Sequence, residues 1–289
     1  MSELPSGLVP PAAAPSERLV PSTRIGDRPL VKWTIIGLTA SIASSLILLP
    51  LAVIFSAAFS GGVELYVSKV IEPDTLHAVW LTVLTALVAV PVNTVFGIAA
   101  AWAITRFQFP GRRFLIVLIE LPFSISPIVA GVAYLFVFGT QGLVGPWFEA
   151  QGIKIMFAAP GIFLVSMFVT CPYVARELIT IMSSRDETDE LAAVSLGASG
   201  FQTFFRVTLP NIKIALLYGV LLCNARVMGE FGAVSIVSGS IRGRTNTLPL
   251  QIELLFNDYN TVAAFAAATL LTTLALVTLV LKLIIEHRR

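Results

Sequence analysis

The residues most suited to chemistry in this sequence are two opposite charges four positions apart in an apolar stretch. Arg226 and Glu230 fall on one face of a predicted helix, because residues i and i+4 are neighbours there. Arg226 lies roughly 18 Å inside that segment, at about 1.5 Å per residue. Charges at such depth are costly and should face a bundle interior or water. Two interpretations stay open: an ion pair that fixes helix packing, or a pair that lines or gates a route for an anion.

Hydroxyls beside prolines form a second candidate group. Pro122 and Pro127 interrupt another apolar block and free backbone groups that neighbours, serines or water must satisfy. Broken helices with polar groups nearby commonly mark a substrate route, and Ser124 and Ser126 could donate to an oxyanion. An ordinary kinked helix is an equally open interpretation.

A third group is a pair of arginines in a polar loop. Arg242 and Arg244 stand among threonines and an asparagine. They could steer an anion or contact the acidic surface of a delivering protein. A solvated turn is an equally open interpretation.

Other kinds of chemistry find little support. Cys171 and Cys223 lie in apolar blocks without CxxC or Cys/His spacing, so we expect neither a disulfide nor a metal site. The phosphate-binding pattern GxxxxGK[ST] does not occur in the sequence, so we expect no ATP hydrolysis by this chain and no cofactor of its own. The paired Asp, His-rich or Ser/Lys arrangements of an intramembrane enzyme are not apparent either.

The elements that must position these residues are long apolar helices. The chain has 289 residues, 56% of them hydrophobic and 12% charged, with a mean hydropathy of +0.87. Six apolar blocks reach the length of about 20 residues that a bilayer core requires, and backbone groups in lipid must be satisfied within a helix. The sequence therefore predicts an all-α membrane protein with six transmembrane helices: Val31–Phe59, Leu76–Thr105, Phe114–Phe138, Phe157–Met182, Ile214–Ser238 and Val262–Ile285.

The distribution of Lys and Arg predicts the orientation of these helices. Residues 1–30 are polar and rich in Pro, Ala and Ser, which is typical of a disordered tail. If this tail is cytoplasmic, fourteen basic residues are cytoplasmic: Arg18, Arg24, Arg28, Lys32, Arg106, Arg112, Arg113, Arg176, Arg185, Arg206, Lys213, Lys282, Arg288 and Arg289. Four are outside: Lys69, Lys154, Arg242 and Arg244. Both termini are therefore predicted to be cytoplasmic, and residues 31–289 to form one membrane domain.

The longest cytoplasmic connection, residues 183–213, carries a recognisable signature. It resembles the EAA loop of ABC importer permeases, with matches at Ala192, Ala193, Gly197, Val207, Leu209 and Pro210. The acid position of that signature holds Leu191, and Glu190 precedes it by one residue. The resemblance implies that this segment is a coupling helix that docks into a groove of an ATPase subunit.

Three further blocks resemble the sulfate permeases among these importers. They are Leu121–Gly131, residues 141–147, and the stretch from Ala225 to Asn260 that includes Gly229-Glu230-Phe231-Gly232-Ala233 and Thr247-Leu248-Pro249-Leu250. The resemblance covers roughly residues 30–285 and implies a type I importer permease (MetI-like) fold. Phe231 and Gly232 join the arginine and glutamate as candidate pathway residues on this basis. Molybdate or tungstate is the alternative cargo, because molybdate permeases share the Gly-Glu-Phe-Gly-Ala piece.

The resemblance also implies an assembly in the bacterial inner membrane. The chain would form half of a pathway for sulfate or thiosulfate. Its expected partners are a second permease, two ATPase subunits that bind ATP and Mg²⁺, and a periplasmic or lipid-anchored sulfate-binding protein. An ion channel or secondary transporter would act alone and would not need the loop at residues 183–213. A structural or receptor subunit would also lack a use for that loop.

Overall fold

Every regular element in the described part of the chain is helical, which confirms the all-α prediction. The computed structural model describes residues 29–185 and 188–287, so residues 1–28 of the predicted tail lie outside it. The helices are α1 (Pro29–Ala58), α2 (Val63–Val70), α3 (Pro73–Arg106), α4 (Arg112–Ser124), α5 (Pro127–Phe138), α6 (Gly145–Ala150), α7 (Ala159–Ser184), α8 (Thr188–Ser195), α9 (Gly200–Thr203), α10 (Leu209–Met228), α11 (Gly232–Ser238), α12 (Leu248–Asn257) and α13 (Thr261–His287).

Within these residues, five helical segments are long and apolar enough to cross a membrane. They are Val31–Ala58, Pro73–Arg106, Ala159–Ser184, Gly200–Met228 and Thr261–Val280. A sixth span exists only if α4 and α5, which are bent by 109° at their junction, count as one. Each predicted block therefore corresponds to a helix or a helix pair, with the differences described next.

The block Phe114–Phe138 is broken, as its two prolines indicate, and the alternative of an ordinary kinked helix is wrong. Helix α4 ends at Ser124, and Ile125 is extended, with φ −97° and ψ 133°. Ser126 is extended as well, with ψ 134°, and Pro127 opens α5. The ring of a proline disfavours helical backbone at the residue before it. The break therefore lies at Ile125 and Ser126, just before Pro127, while α4 continues through Pro122.

The prediction of a continuous helix over Ile214–Ser238 is also wrong. Helix α10 ends at Met228, and a second, shorter helix begins at Gly232. At the other end, α10 begins at Leu209, five residues earlier than predicted. Together with the turns that precede it, it forms one helical span from Gly200 to Met228. The Gly-Glu-Phe triplet at residues 229–231 thus lies in a break between helices.

Residues 51–287 form a compact unit arranged around α7, and the described residues before them form the apolar first part of α1. Helix α7 packs against α3, α10, α11 and α4. The side chain of Val174 on α7 is fully buried between two glycines. A Cβ atom on Gly97 of α3 would lie 2.7 Å from Val174 Cγ1, and one on Gly219 of α10 would lie 3.1 Å from Val174 Cα. Small residues let the backbones of three helices approach closely, as is common in membrane bundles.

A buried polar cluster joins the same three helices. The amide of Asn93 on α3 donates to the carbonyl oxygen of Met167 at 3.1 Å and to Thr170 Oγ1 at 2.8 Å on α7. The same amide approaches Cys223 Sγ on α10 at 3.8 Å. Cys223 is fully buried and has a free thiol, as expected for a packing residue. Hydrogen bonds between helices are worth about 0.6–2 kcal/mol in membranes.

Gly97→Ala is expected to lower the stability of the protein. The new Cβ would also lie 2.9 Å from the backbone nitrogen of Ala175, so α3 and α7 must move apart. Overpacking of this kind costs about 1–3 kcal/mol. The thermal unfolding midpoint of the detergent-purified protein should fall. Gly37→Ala is the matched control, because a Cβ atom on that helical glycine would meet no other atom within 4 Å and alanine favours helix. An unchanged midpoint for Gly97→Ala would contradict the packing argument.

Candidate coupling and translocation sites

The loop that follows α7 contains the short helix predicted for it. Helix α8 ends in a left-handed turn, in which Gly197 N donates to Val194 O at 2.9 Å and Ala198 N donates to Ala193 O at 3.0 Å. Gly197 has φ +89°, a conformation that glycine adopts without strain. A Cβ atom there would meet nothing within 4 Å. Gly197 therefore terminates α8.

Glu190 points inward and joins α8 to two other helices. Its Oε2 lies 2.6 Å from Arg106 Nε at the end of α3. Its Oε1 accepts a hydrogen bond from Thr208 Oγ1, 2.8 Å away, at the start of α10. Arg106 Nη1 also donates to the carbonyl oxygen of Met182 on α7 at 3.3 Å. The acidic residue of the loop thus holds α8 against the helix bundle.

Three apolar side chains of this loop point outward. Leu191, Val194 and Leu196 are 62%, 55% and 90% exposed, and we call them the coupling surface. Ala192 is exposed as well, and Ala193 is half-buried. The glutamate at position 190 thus makes an internal contact, while the leucine at position 191 faces outward.

The start of α10 differs from a simple proline-initiated helix. Leu209 and Pro210 do open α10, but the preceding residues Phe204–Thr208 form a π-helical turn, in which Leu209 N donates to Phe204 O. Pro210 has no N–H to donate to the carbonyl of Arg206, and its ring would clash with that group. The turn therefore widens, as π-turns do within α-helices.

The second candidate site is centred on Glu230, which is 2% exposed. Its Oε2 lies 2.5 Å from Arg226 Nη1, as the four-residue spacing predicts. Its Oε1 accepts a hydrogen bond at 3.0 Å from the backbone nitrogen of Ala233 in the first turn of α11. A carboxylate at this position satisfies an open N–H group of the helix. The side chain of Arg226 is 31% exposed, so one partner of the pair remains accessible.

The structure brings the two helix breaks together. A Cβ atom on Gly232 would lie 3.2 Å from Pro127 Cβ, and one on Gly131 would lie 2.8 Å from the carbonyl oxygen of Ala233. Helices α5 and α11 therefore pack with their backbones close together. Two blocks of the sequence analysis, Leu121–Gly131 and the Gly-Glu-Phe-Gly-Ala piece, thus meet at one contact.

Polar and aromatic groups border this contact on its open side. Ser124 and Ser126 are exposed and flank the α4–α5 break, and Phe231 is 38% exposed. Neither serine hydroxyl has a hydrogen-bond partner among residues 29–185 and 188–287. Hydroxyls in this position remain able to donate to a passing group.

The two arginines of the polar loop have different surroundings. Arg242 forms an exposed ion pair with Asp258. Arg244 borders a cleft of about 300 Å³, which Lys154 and Glu149 also line. The residues that follow, Thr245 to Thr247, are buried. The loop is therefore anchored by its polar centre, while Arg244 is the arginine that faces a cleft.

Sequence reasoning missed two residues of the candidate coupling site. Arg106 was predicted only as a basic residue on the cytoplasmic side, and Thr208 was not singled out. Both are far from Glu190 in sequence, and no local pattern connects them. Only the packing of α3 against α10 brings their side chains to one carboxylate.

Residues 93–289 match the protein family described as "Binding-protein-dependent transport system inner membrane component". The chain belongs to this family. It is also 54% identical over 257 residues to the sulfate transport system permease protein CysW of Escherichia coli (strain K12), covering 89% of this permease and 88% of that protein. Identity to the CysT permease protein of the same organism is 33%, over 84% of this chain and 90% of that protein.

The fold of this permease is shared with solved importers. A chain of the crystal structure of a bacterial alginate ABC transporter in complex with an alginate pentasaccharide-bound periplasmic protein superposes with a TM-score of 0.73 at 16% identity. The match covers 88% of this chain and 93% of the other. The MetI-like fold and the inner-membrane location predicted from the sequence are confirmed.

Proposed function

We propose that this chain is one permease half of an ATP-driven importer for sulfate or thiosulfate. The observation that carries the proposal is the exposed apolar surface on α8, which is held on the helix bundle through Glu190. A surface of this kind has a use only if a partner covers it. The identity to the CysW protein exceeds that to CysT by a wide margin and supports the CysW-type position and the sulfate cargo.

The proposed topology has six spans with both termini in the cytoplasm. It counts the bent pair α4–α5 as one span. The excess of Lys and Arg on one set of loops supports this orientation. With these assignments, α8 lies on the cytoplasmic side, where an ATPase can reach it, and Arg244 lies outside, where a periplasmic protein can.

The proposed assembly contains a CysT-like second permease, two ABC ATPase subunits that bind ATP and Mg²⁺, and a sulfate-binding protein. The permease itself needs no cofactor. Leu191, Ala192, Ala193 and Gly197 would form the part that docks into the ATPase, and Leu209 and Pro210 would connect it to α10. Arg226, Glu230 and the break-flanking Ser124 and Ser126 would border the anion route.

The proposed mechanism is alternating access. A loaded binding protein docks outside, and the ATPases close on ATP inside. Their closure moves α8, and the helices attached to it open the route outward. Sulfate passes the partly exposed guanidinium of Arg226. The carboxylate of Glu230 is paired with this guanidinium and accepts a hydrogen bond from Ala233 N, so its negative charge is compensated and does not repel the anion. Hydrolysis then restores the inward-open state.

The test of this proposal reconstitutes the full complex in lipid vesicles and measures ATP hydrolysis with each loaded binding protein. Stimulation by sulfate or thiosulfate is expected, together with uptake of the labelled anion. Stimulation by molybdate or tungstate, and not by sulfate, would replace the proposed cargo with the alternative. Failure of the permease to purify with an ATPase would reject ABC import altogether.

A further inference from the structure

Arg106 is the last residue of α3, and its guanidinium forms a buried ion pair with Glu190 of α8. We propose that Arg106 is a positioning residue of the coupling mechanism, through which movement of α8 is transmitted to α3. The inference rests on the proposed function, because it assumes that an ATPase moves α8. It adds a residue outside the loop signature and a defined route into the membrane.

The geometry makes Glu190 the shared partner of two spans. One carboxylate oxygen is paired with the guanidinium of Arg106 on α3, and the other accepts from Thr208, the residue just before α10. Glu190 lies in the first turn of α8, so its carboxylate moves with that helix. A displacement of α8 therefore pulls on α3 and on the start of α10 at one point.

Burial makes this link difficult to break during a transport cycle. The side chains of Arg106 and Glu190 are only 12% and 16% exposed. Separating two such charges would leave each of them poorly solvated, which is strongly unfavourable. The pair should therefore stay formed while the helices that carry it move together.

A second contact at the same place is aromatic. Trp102, one turn before Arg106 on α3, packs on Phe204 with ring centroids 4.9 Å apart. Phe204 begins the π-turn that precedes α10. A π-turn interrupts the regular hydrogen-bond pattern of an α-helix and is frequently found at functional sites. The polar link and the aromatic contact thus connect α3 to the irregular turn that leads into α10.

The experiment exchanges the two charges in the complete transporter. Arg106→Glu and Glu190→Arg are tested singly and together, in vesicles, with ATP hydrolysis and sulfate uptake measured on the same preparation. Each single variant brings two like charges together and should lower the unfolding midpoint. In the complexes that retain the ATPase, sulfate uptake per ATP is expected to fall about tenfold, within the range for single residues of a coupling network. The double variant should recover most of the lost sulfate uptake per ATP, because it restores the ion pair with the two charges exchanged.

The matched control is Arg113→Gln, which removes an exposed basic residue close to the same end of α3. Its uptake per ATP should equal that of the wild type. Unchanged uptake per ATP in Arg106→Glu, or a double variant no better than the singles, would overturn the proposal. If the single variants lose bound ATPase instead, the pair maintains the docking surface and does not transmit motion. Wild-type vesicles without sulfate-stimulated hydrolysis would reject the proposed function itself.

Discussion

Arg226→Ala is expected to destabilise the permease strongly. The substitution removes the charge partner of Glu230, whose side chain is 1% exposed. Removing one partner of a buried ion pair costs about 3–5 kcal/mol, because the other charge is left uncompensated. The carboxylate would keep its hydrogen bond from Ala233, which offsets only part of that cost. A large fall in the thermal unfolding midpoint and in the yield of folded protein from membranes should follow.

A second substitution tests whether the stranded charge is the cause. Glu230→Gln in the Arg226→Ala background removes the negative charge but keeps an oxygen that can accept from Ala233. Most of the lost stability should return. Arg242→Ala is the control for stability, because its pair with Asp258 is about half exposed and exposed pairs contribute about 0–1 kcal/mol. Equal losses in Arg226→Ala and Arg242→Ala would contradict the burial argument.

The same double variant separates the two interpretations of the pair. If Arg226 only fixes helix packing, the rescued protein should transport sulfate at close to the wild-type rate. If the guanidinium also borders the anion route, the rescued protein should be stable and assembled but impaired in transport. The partial exposure of Arg226 beside a buried Glu230 favours the second outcome, since a purely structural pair needs no accessible partner.

The long spans could be predicted from the sequence because their signal is simple. Predicted blocks such as Leu76–Thr105 and Val262–Ile285 differ from α3 and α13 by a few residues at each end. Continuous apolar runs leave the backbone no alternative to a helix in lipid. The contact of Arg226 with Glu230 was predicted from helical spacing and is present, although Glu230 lies two residues beyond the end of α10.

The helix breaks could not be predicted from proline alone. Pro50, Pro91 and Pro172 lie inside helices that continue through them. Membrane helices tolerate proline where neighbouring groups satisfy the freed carbonyls, so the outcome depends on tertiary packing. At Pro127 the packing of α5 on α11 through Gly131 and Gly232 accompanies a complete bend. That contact joins segments that are distant in sequence, as does the contact of Arg106 with Glu190.

Placing a charge on the coupling surface is expected to abolish binding of the ATPase. Leu196 is 90% exposed at the end of α8, so Leu196→Asp should leave the fold intact. Burying a leucine on docking contributes about 1.5–3 kcal/mol, which corresponds to roughly a tenfold to hundredfold weaker complex when it is lost. Adding Val194→Asp removes a second apolar contact, since Val194 is 55% exposed, and introduces a second charge that the partner would have to desolvate.

The measurement is co-purification of the ATPase with the tagged permease, combined with the unfolding midpoint of the permease alone. The double variant should lose the ATPase and keep its midpoint. Leu143→Asp is the matched control, because Leu143 is 86% exposed in the connection between α5 and α6, away from the loop that carries α8. It should retain the ATPase. Full ATPase recovery with Val194→Asp/Leu196→Asp would show that the exposed apolar face of α8 is not the docking site, because burying two unpaired carboxylates is costly.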